Sequence, residues 1–516
     1  MKIFLSVSLL LVLSLSFAQR KKEQQDTSTY ILQPNRIEFD MGWDDHVFHI
    51  IDGKDNGLMV AVETDNALDG GDLWAFHYLD TSLNVVWSKN FSIPVESAFT
   101  GYDYFDGRYY LLFNVSKYSN EDLLIYEIDA ETTEYETYEV STVFPILLTH
   151  FEVISTTVLL GGYTNFRPVM LTYDLIEQKP KVIPGFYDSN SELLDLIIDD
   201  EAQIFTVLIT ERQFNRKNSI RAKTFTASGD LIQENRVNPG DRSNLIDGTA
   251  TTFYGGFQYV AGTYSKKASQ YSRGLYLAKF INGRQQFIRF HEYADLNNFF
   301  GFMSKRREQR VKERIERKKE RGKKPRFSYR LMVHDIIQRG DEYVMIAEAY
   351  YPSYNSYNRG PMSMTGAGSS FTPGFTGYRY THAVVVSFDK NGNIRWDNSF
   401  EIDDILTFSL QEFVQVSIYD EKIVLMYLEG NTIRSKVVTG DEIFEGKTFN
   451  PVRLAYADDE IKSKNPGIEG LNKWYDNTLY AFGEQRIKNE SGAGGKVFRK
   501  IFYINKVSYN LDNNHD

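Results

Sequence analysis

One phrase recurs eight times along this chain: a short strand, a tight turn holding Asp or Gly, a strongly apolar strand, then a hairpin. The apolar strands are the clearest members and occupy residues 58–62, 109–113, 158–162, 204–208, 257–262, 343–347, 423–427 and 479–483. Their starts are 51, 49, 46, 53, 86, 80 and 56 residues apart. A period of roughly 40–50 residues with four strands per unit predicts a β-propeller, in which no sheet can shield its own apolar side without neighbours. The fold expected is therefore all-β: a single large propeller of eight four-stranded blades, with seven as the fallback, interrupted by one inserted basic helix.

The hairpins share a grammar. Residues 74–80 turn through Ser82, Leu83 and Asn84 into Val85-Val86-Trp87, and residues 383–389 turn through Asn391-Gly392-Asn393 into Ile394-Arg395-Trp396. Asn and Gly at such positions accept positive φ cheaply and favour tight turns. The last clear strand, near residues 497–504, lacks a full partner downstream, whereas residues 31–39 are strand-like and precede the first unit. Pairing the two ends is expected to close the ring and leave no open edge.

Residues 1–18 read as a cleaved signal peptide. Lys2 supplies the positive start, an apolar stretch follows, and Ser16 and Ala18 sit at the −3 and −1 positions of a cut before Gln19. Gln19 stands where a lipoprotein needs Cys, and the chain contains no Cys, so lipid anchoring by that route, disulfides and Cys-ligated metals are excluded. Residues 19–29 are polar and expected to be disordered, residues 30–510 form the propeller, and residues 511–516 form a tail. The net charge of −11 argues against general nucleic-acid binding.

Two insertions stretch the period. In the first, at 303–326, residues 304–326 carry thirteen Lys or Arg and four Glu, a charge of +9 that leaves −20 for the remainder. Helix formers dominate, Glu308 and Lys312 stand at i,i+4 spacing, and Gly322 and Pro325 end the segment. Only Val311 and Ile315 are apolar inside it, so the reading is either a solvated helix or a basic arm. Such an arm would present Lys305, Arg306, Arg307, Arg310, Lys312, Arg314, Arg317, Lys318, Lys319 and Arg321 to an acidic partner or to lipid phosphates at a membrane. The second insertion, at 350–380, is a Tyr/Gly/Ser-rich loop. Tyr350, Tyr351, Tyr354, Tyr357, Phe371, Phe375 and Tyr378 could bury there on a partner, because Tyr supplies large contact area at low entropy cost.

Signs of catalysis are nearly absent. His46 and His49 are three apart, on opposite faces of a strand, and so make a poor metal pair. Asp389, Asn391 and Asn393 begin like a calcium loop, but the closing position falls on Phe400. No nucleophile elbow, zinc-protease helix or phosphate-cradling Gly loop occurs. No catalytic residue, metal or cofactor is assigned.

The hairpins ending in Trp87 and Trp396 resemble blades of quinoprotein-like and WD40-like propellers, approximating their strand–Asp–x–x–Gly–x–x–x–Trp phrase. That resemblance implies the fold and not the quinone cofactor. The signal ending Ser16-Phe17-Ala18-Gln19, the Tyr/Asn/Lys-rich composition and the absent Cys together resemble envelope proteins of Bacteroidota. This implies a periplasmic propeller attached to an outer-membrane complex, such as a plug-like accessory of the type IX secretion translocon. The carboxyl end does not resemble a type IX sorting domain, so the chain is not expected to be cargo. The expected function is non-catalytic docking on an outer-membrane protein complex. The alternative is a glycan-active hydrolase or lyase with paired acids on the ring face.

Overall fold

The computed structural model describes residues 26–41, 47–116, 119–213, 216–240, 243–355, 374–403, 405–462, 467–492 and 494–510. The signal peptide, the tail, His46, Tyr357 and Phe371 lie outside the described residues. Eight antiparallel sheets follow one another along the chain, and each of the eight apolar strands read from the sequence is the second strand of its sheet. In the first blade the strands run Val47–Asp52, Leu58–Leu68, Gly71–Leu79 and Val85–Ile93, each paired with the next.

Why those second strands are apolar throughout is visible in the packing. Successive side chains point to opposite faces, and both faces of each sheet are covered by a neighbouring blade. Met59 and Ala61 pack toward the second blade with Leu111 and Phe113, while Leu58, Val60 and Val62 pack toward the last blade with Tyr480 and Ile504. The buried apolar side chains fall into eight clusters, one at each blade–blade interface. The ring is closed because the cluster between last and first blades is as well filled as the others.

Closure follows the expected route. Arg36–Asp40 pairs antiparallel with Phe498–Tyr509, supplying the outer strand that the last unit lacks. Residues 26–28, expected to be without fixed structure, are pinned beside the seventh blade. Asp26 O accepts the Phe449 N–H at 2.8 Å, and Ser28 exchanges hydrogen bonds with Asn450 at 3.0 and 2.8 Å. A free outer edge offers unpaired backbone groups, and this stretch satisfies some of them.

Turn chemistry matches the sequence reading. Asp80 and Asp389 each accept backbone N–H groups from two and four residues on, and a side-chain N–H from Asn84 or Asn393 respectively, all at 2.8–3.0 Å. Asp389, Asn391 and Asn393 therefore form a hairpin turn. The indole of Trp87 donates to Ala130 O of the second blade at 2.9 Å, and that of Trp396 to Glu342 Oε1 at 2.8 Å.

Candidate docking surface and axial channel

The basic insertion is a helix, Lys305–Glu320, on the connection from the fifth blade to the sixth. It is not free in solvent. Val311 and Ile315, one turn apart, form a narrow apolar stripe packed on a cluster containing Phe299, Phe300 and Leu331, and Ile315 is buried. The residues before the helix strap it to the sixth blade. The N–H groups of Asn297 and Asn298 each donate to the Asp397 carboxylate at 2.7 Å, Ser399 Oγ donates to Asn298 O at 2.9 Å, and Phe302 stacks flat on His382 at 3.6 Å. His382 is fully buried, and burial holds its ring neutral down to about 3.

The helix ends as the sequence indicated. Gly322, at φ +64°, donates to Lys319 O and Lys323 donates to Lys318 O, both at 2.9 Å, a turn that needs the left-handed conformation glycine supplies. The expected helix pair Glu308–Lys312 forms at 2.7 Å, while Arg317 donates to the Glu313 backbone carbonyl at 3.2 Å. Lys319 reaches Asp295 at 3.2 Å. Lys305, Arg306, Arg307, Arg310, Arg314 and Arg321 are exposed.

The aromatic insertion is a loop only in part. Its flanks continue the middle hairpin of the sixth blade, Glu342–Asn355 against Gly374–Asp389, with Tyr350 opposite Tyr380 and Tyr354 opposite Phe375. The inner strand stops at Arg330, opposite Tyr350. Beyond it, among the described residues, Tyr351–Asn355 pairs only with the ribbon partner, which itself gains the short strand Leu406–Thr407 beside Tyr378 and Arg379. The ribbon thus projects by five residues, ~16 Å at strand rise. Its rings form a chain: Tyr354–Phe375 at 5.8 Å, Phe375–Tyr378 at 5.1 Å, Tyr378–Tyr350 at 5.7 Å. Tyr351, Tyr354 and Phe375 are exposed, as are nearby Leu406, Phe408 and Leu410. Period-two alternation of aromatic residues supports strand pairing as readily as a loop, which is why composition alone misassigned these flanks.

Both insertions are anchored on the sixth blade. The residues missed by sequence reasoning lie elsewhere, on the innermost strands that face the ring axis. Asp52, Asp103, Glu152, Asp195 and Asp247 belong to the inner strands of five successive blades, and burial raises their carboxyls to about 6, 6, 8, 7 and 6 respectively. Some are structural stitches. Asp103 accepts the N–H of Tyr104 at 2.7 Å and, across the blade boundary, that of Val153 at 2.6 Å. Asp247 likewise accepts from Gly248 at 2.9 Å and from Val333 of the next blade at 3.2 Å. Lys54 of the first blade bridges to Asp200 of the fourth at 3.3 Å, spanning the axis. The signal that could have found them is an acid recurring on the first strand of successive units.

At the other mouth of the channel a groove of about 870 Å³ runs along blades four to six, lined by Glu192, Arg212, Asp247, Arg330 and the ribbon base, Tyr350 and Tyr378. Among the described residues no group of three or more His, Cys, Asp or Glu side chains is placed to hold a metal ion, and no helix is long and apolar enough to cross a membrane. His49 stacks on Trp74 at 5.6 Å inside the blade.

No protein-family description and no curated protein matches this chain. Among solved structures it is similar to the β-propeller domain of the Trilobed protease from Pyrococcus furiosus, at 10% identity over 76% of this chain and 92% of that one, TM-score 0.35. It is also similar to prolyl oligopeptidase B from Galerina marginata, at 9% identity and TM-score 0.39, covering 87% of this chain and 56% of that one, so it spans little more than half of that enzyme. The polysaccharide lyase Uly1 is similar at 8% identity and TM-score 0.39, covering 93% of this chain and 100% of that one. The chain is an eight-bladed propeller scaffold of the all-β class.

Proposed function

We propose that this propeller is a non-catalytic scaffold of the bacterial periplasm that docks on an outer-membrane protein complex, with the type IX secretion translocon as the complex to test first. One observation carries the reading: the ribbon of the sixth blade presents exposed Tyr351, Tyr354 and Phe375 on a paired backbone, with the Tyr354 ring against Phe375 and Phe375 against Tyr378, which in turn meets Tyr350. Aromatic side chains already held in place lose little freedom on burial, and such anchors dominate interface energies. The cationic helix on the same blade adds steering toward an acidic surface, which makes capture sensitive to salt.

The test is affinity purification of full-length protein from gently solubilised envelopes of the native host. Wild type recovers one outer-membrane complex. Tyr354→Ser combined with Phe375→Ser lowers recovery about tenfold or more while the circular dichroism spectrum is unchanged. Equal recovery by the double variant, or a cytoplasmic location on fractionation, overturns the proposal.

A second reading is favoured by one observation. Glu152 and Asp103 interact in the channel with carboxyls raised to about 8 and 6, a separation of the kind that divides acid from base in glycan cleavage. If this pair is catalytic, the pure protein depolymerises a member of a neutral and uronate glycan panel, and Glu152→Gln lowers that rate at least about a hundredfold. Inactivity across the panel removes this reading and leaves the first untouched.

A further inference from the structure

The cations of the inserted helix do not act as one uniform patch. Where the helix ends, the Gly322 turn folds the chain back toward the fifth blade and borders an open cavity of about 450 Å³. Its lining is wholly cationic: Lys318, Lys323, Lys324 and Arg326 from the insertion, Lys266 and Arg273 from the hairpin connection of the fifth blade. These two groups are some fifty residues apart in sequence and come together only in the fold. The bridge between Ser272 and Tyr329, with hydrogen bonds of 2.8 and 3.1 Å, ties the two segments and fixes the walls.

Charge balance in the cavity is one-sided. Glu292 lies at its edge, 3.1 Å from Lys266 and 3.2 Å from Arg273, and Asp295, paired with Lys319, lines the adjoining groove that shares Lys323 and Lys324. Among the described residues Lys318, Lys323, Lys324 and Arg326 form no ion pair. Arg273 is largely buried, and its Nε has no hydrogen-bond acceptor. Bringing six cations together costs free energy through mutual repulsion, and a multiply charged anion relieves it. Arg offers a planar fork for phosphate oxygens and Lys a mobile point charge, so the lining suits clustered phosphates.

We propose that this cavity is a binding site for a clustered phosphate group, carried either by a soluble phosphorylated molecule or by a lipid headgroup. The site is separate from the aromatic ribbon, and its occupation does not depend on the docking reading. Glu292 sets its strength by competing with the ligand for Lys266 and Arg273.

The experiment is titration of the full-length protein with inorganic tripolyphosphate by calorimetry, and flotation with phosphatidylglycerol or phosphatidylcholine vesicles. Tripolyphosphate binding with one site per chain is expected. Lys323→Gln/Lys324→Gln/Arg326→Gln weakens it about tenfold or more, whereas Arg306→Gln/Arg310→Gln/Arg314→Gln, the same charge change outside the cavity, weakens it less than about threefold. Glu292→Gln tightens binding several-fold, a gain that misfolding does not produce. Flotation with phosphatidylglycerol that tripolyphosphate displaces assigns the lipid source. Tripolyphosphate binding without flotation assigns the soluble one. Equal losses from the two triple variants, or no tripolyphosphate binding by wild type, overturns the site.

Discussion

Removing residues 26–40 should leave a chain that no longer folds to a soluble monomer. The strand Arg36–Asp40 is the only outer partner of Phe498–Tyr509 among the described residues apart from the two-residue strand Ile31–Leu32, and without it a twelve-residue edge stands open. Open edges of this length pair with other chains. The strand also carries a buried ionic chain. Arg36 Nε donates to Glu38 at 2.8 Å, Glu38 accepts from Arg499 at 2.7 Å, and Arg499 grips Asp459 with two 2.8 Å bonds. Arg36 further donates to Gln485 at 2.8 Å and Asn505 at 2.9 Å, and lies over the Tyr503 ring at 4.6 Å. A gentler variant reports on the same lock. Arg36→Met removes one partner of a buried network while the strand remains, and should cost about 3–5 kcal/mol in urea unfolding. Unchanged unfolding of Arg36→Met, together with a soluble, equally stable deletion variant, would show that the ring is held without its closing strand.

The closing strand is legible in the sequence, and the reason is general. A strand with both faces buried must be apolar at every position, so Leu58-Met59-Val60-Ala61-Val62 and its seven counterparts stand out, and a unit lacking its fourth strand announces a partner elsewhere. The basic helix was legible from composition. Its docking was not, because two apolar residues make a weak stripe, and the surface they meet, Phe299, Phe300 and Leu331, flanks the helix on both sides in sequence. The phosphate-suited cavity was hidden for a related reason: Lys266 and Arg273 belong to another repeat. The axial acids escaped notice because scattered carboxyls on inner strands look like ordinary solvent-face alternation. Only the convergence of eight inner strands on one axis crowds them.

That burial sets the dependence of stability on pH, which should be greatest near pH 4 and fall along an alkaline limb that ends near pH 8. The carboxyls of Asp52, Asp103, Glu152, Asp195 and Asp247 are raised by burial to between about 6 and about 8, so the folded chain holds their protons more tightly than the unfolded chain does. Their contribution is complete below the ordinary carboxyl range and is lost as pH rises from that range, near 4, through the raised values of about 6 to about 8. The imidazoles of His49 and His382 are shifted the other way by burial, to about 4 and about 3. Their neutral forms favour the fold above the ordinary histidine value, and that advantage is lost as pH falls below it toward 4. The melting midpoint should therefore drop by about 5 °C or more between pH 4 and pH 8, because five carboxyls lose their advantage over that range while two imidazoles regain theirs. Glu152→Gln removes the carboxyl with the highest value, so it should raise the midpoint at pH 9 and flatten the alkaline limb. His382→Phe keeps a flat ring against Phe302 but removes an imidazole whose advantage grows as pH rises, so it should steepen the fall. A midpoint that rises steadily from pH 6 to pH 9, or an alkaline limb unaltered by Glu152→Gln, would mean that the axial carboxyls are ionised at no cost to the ring.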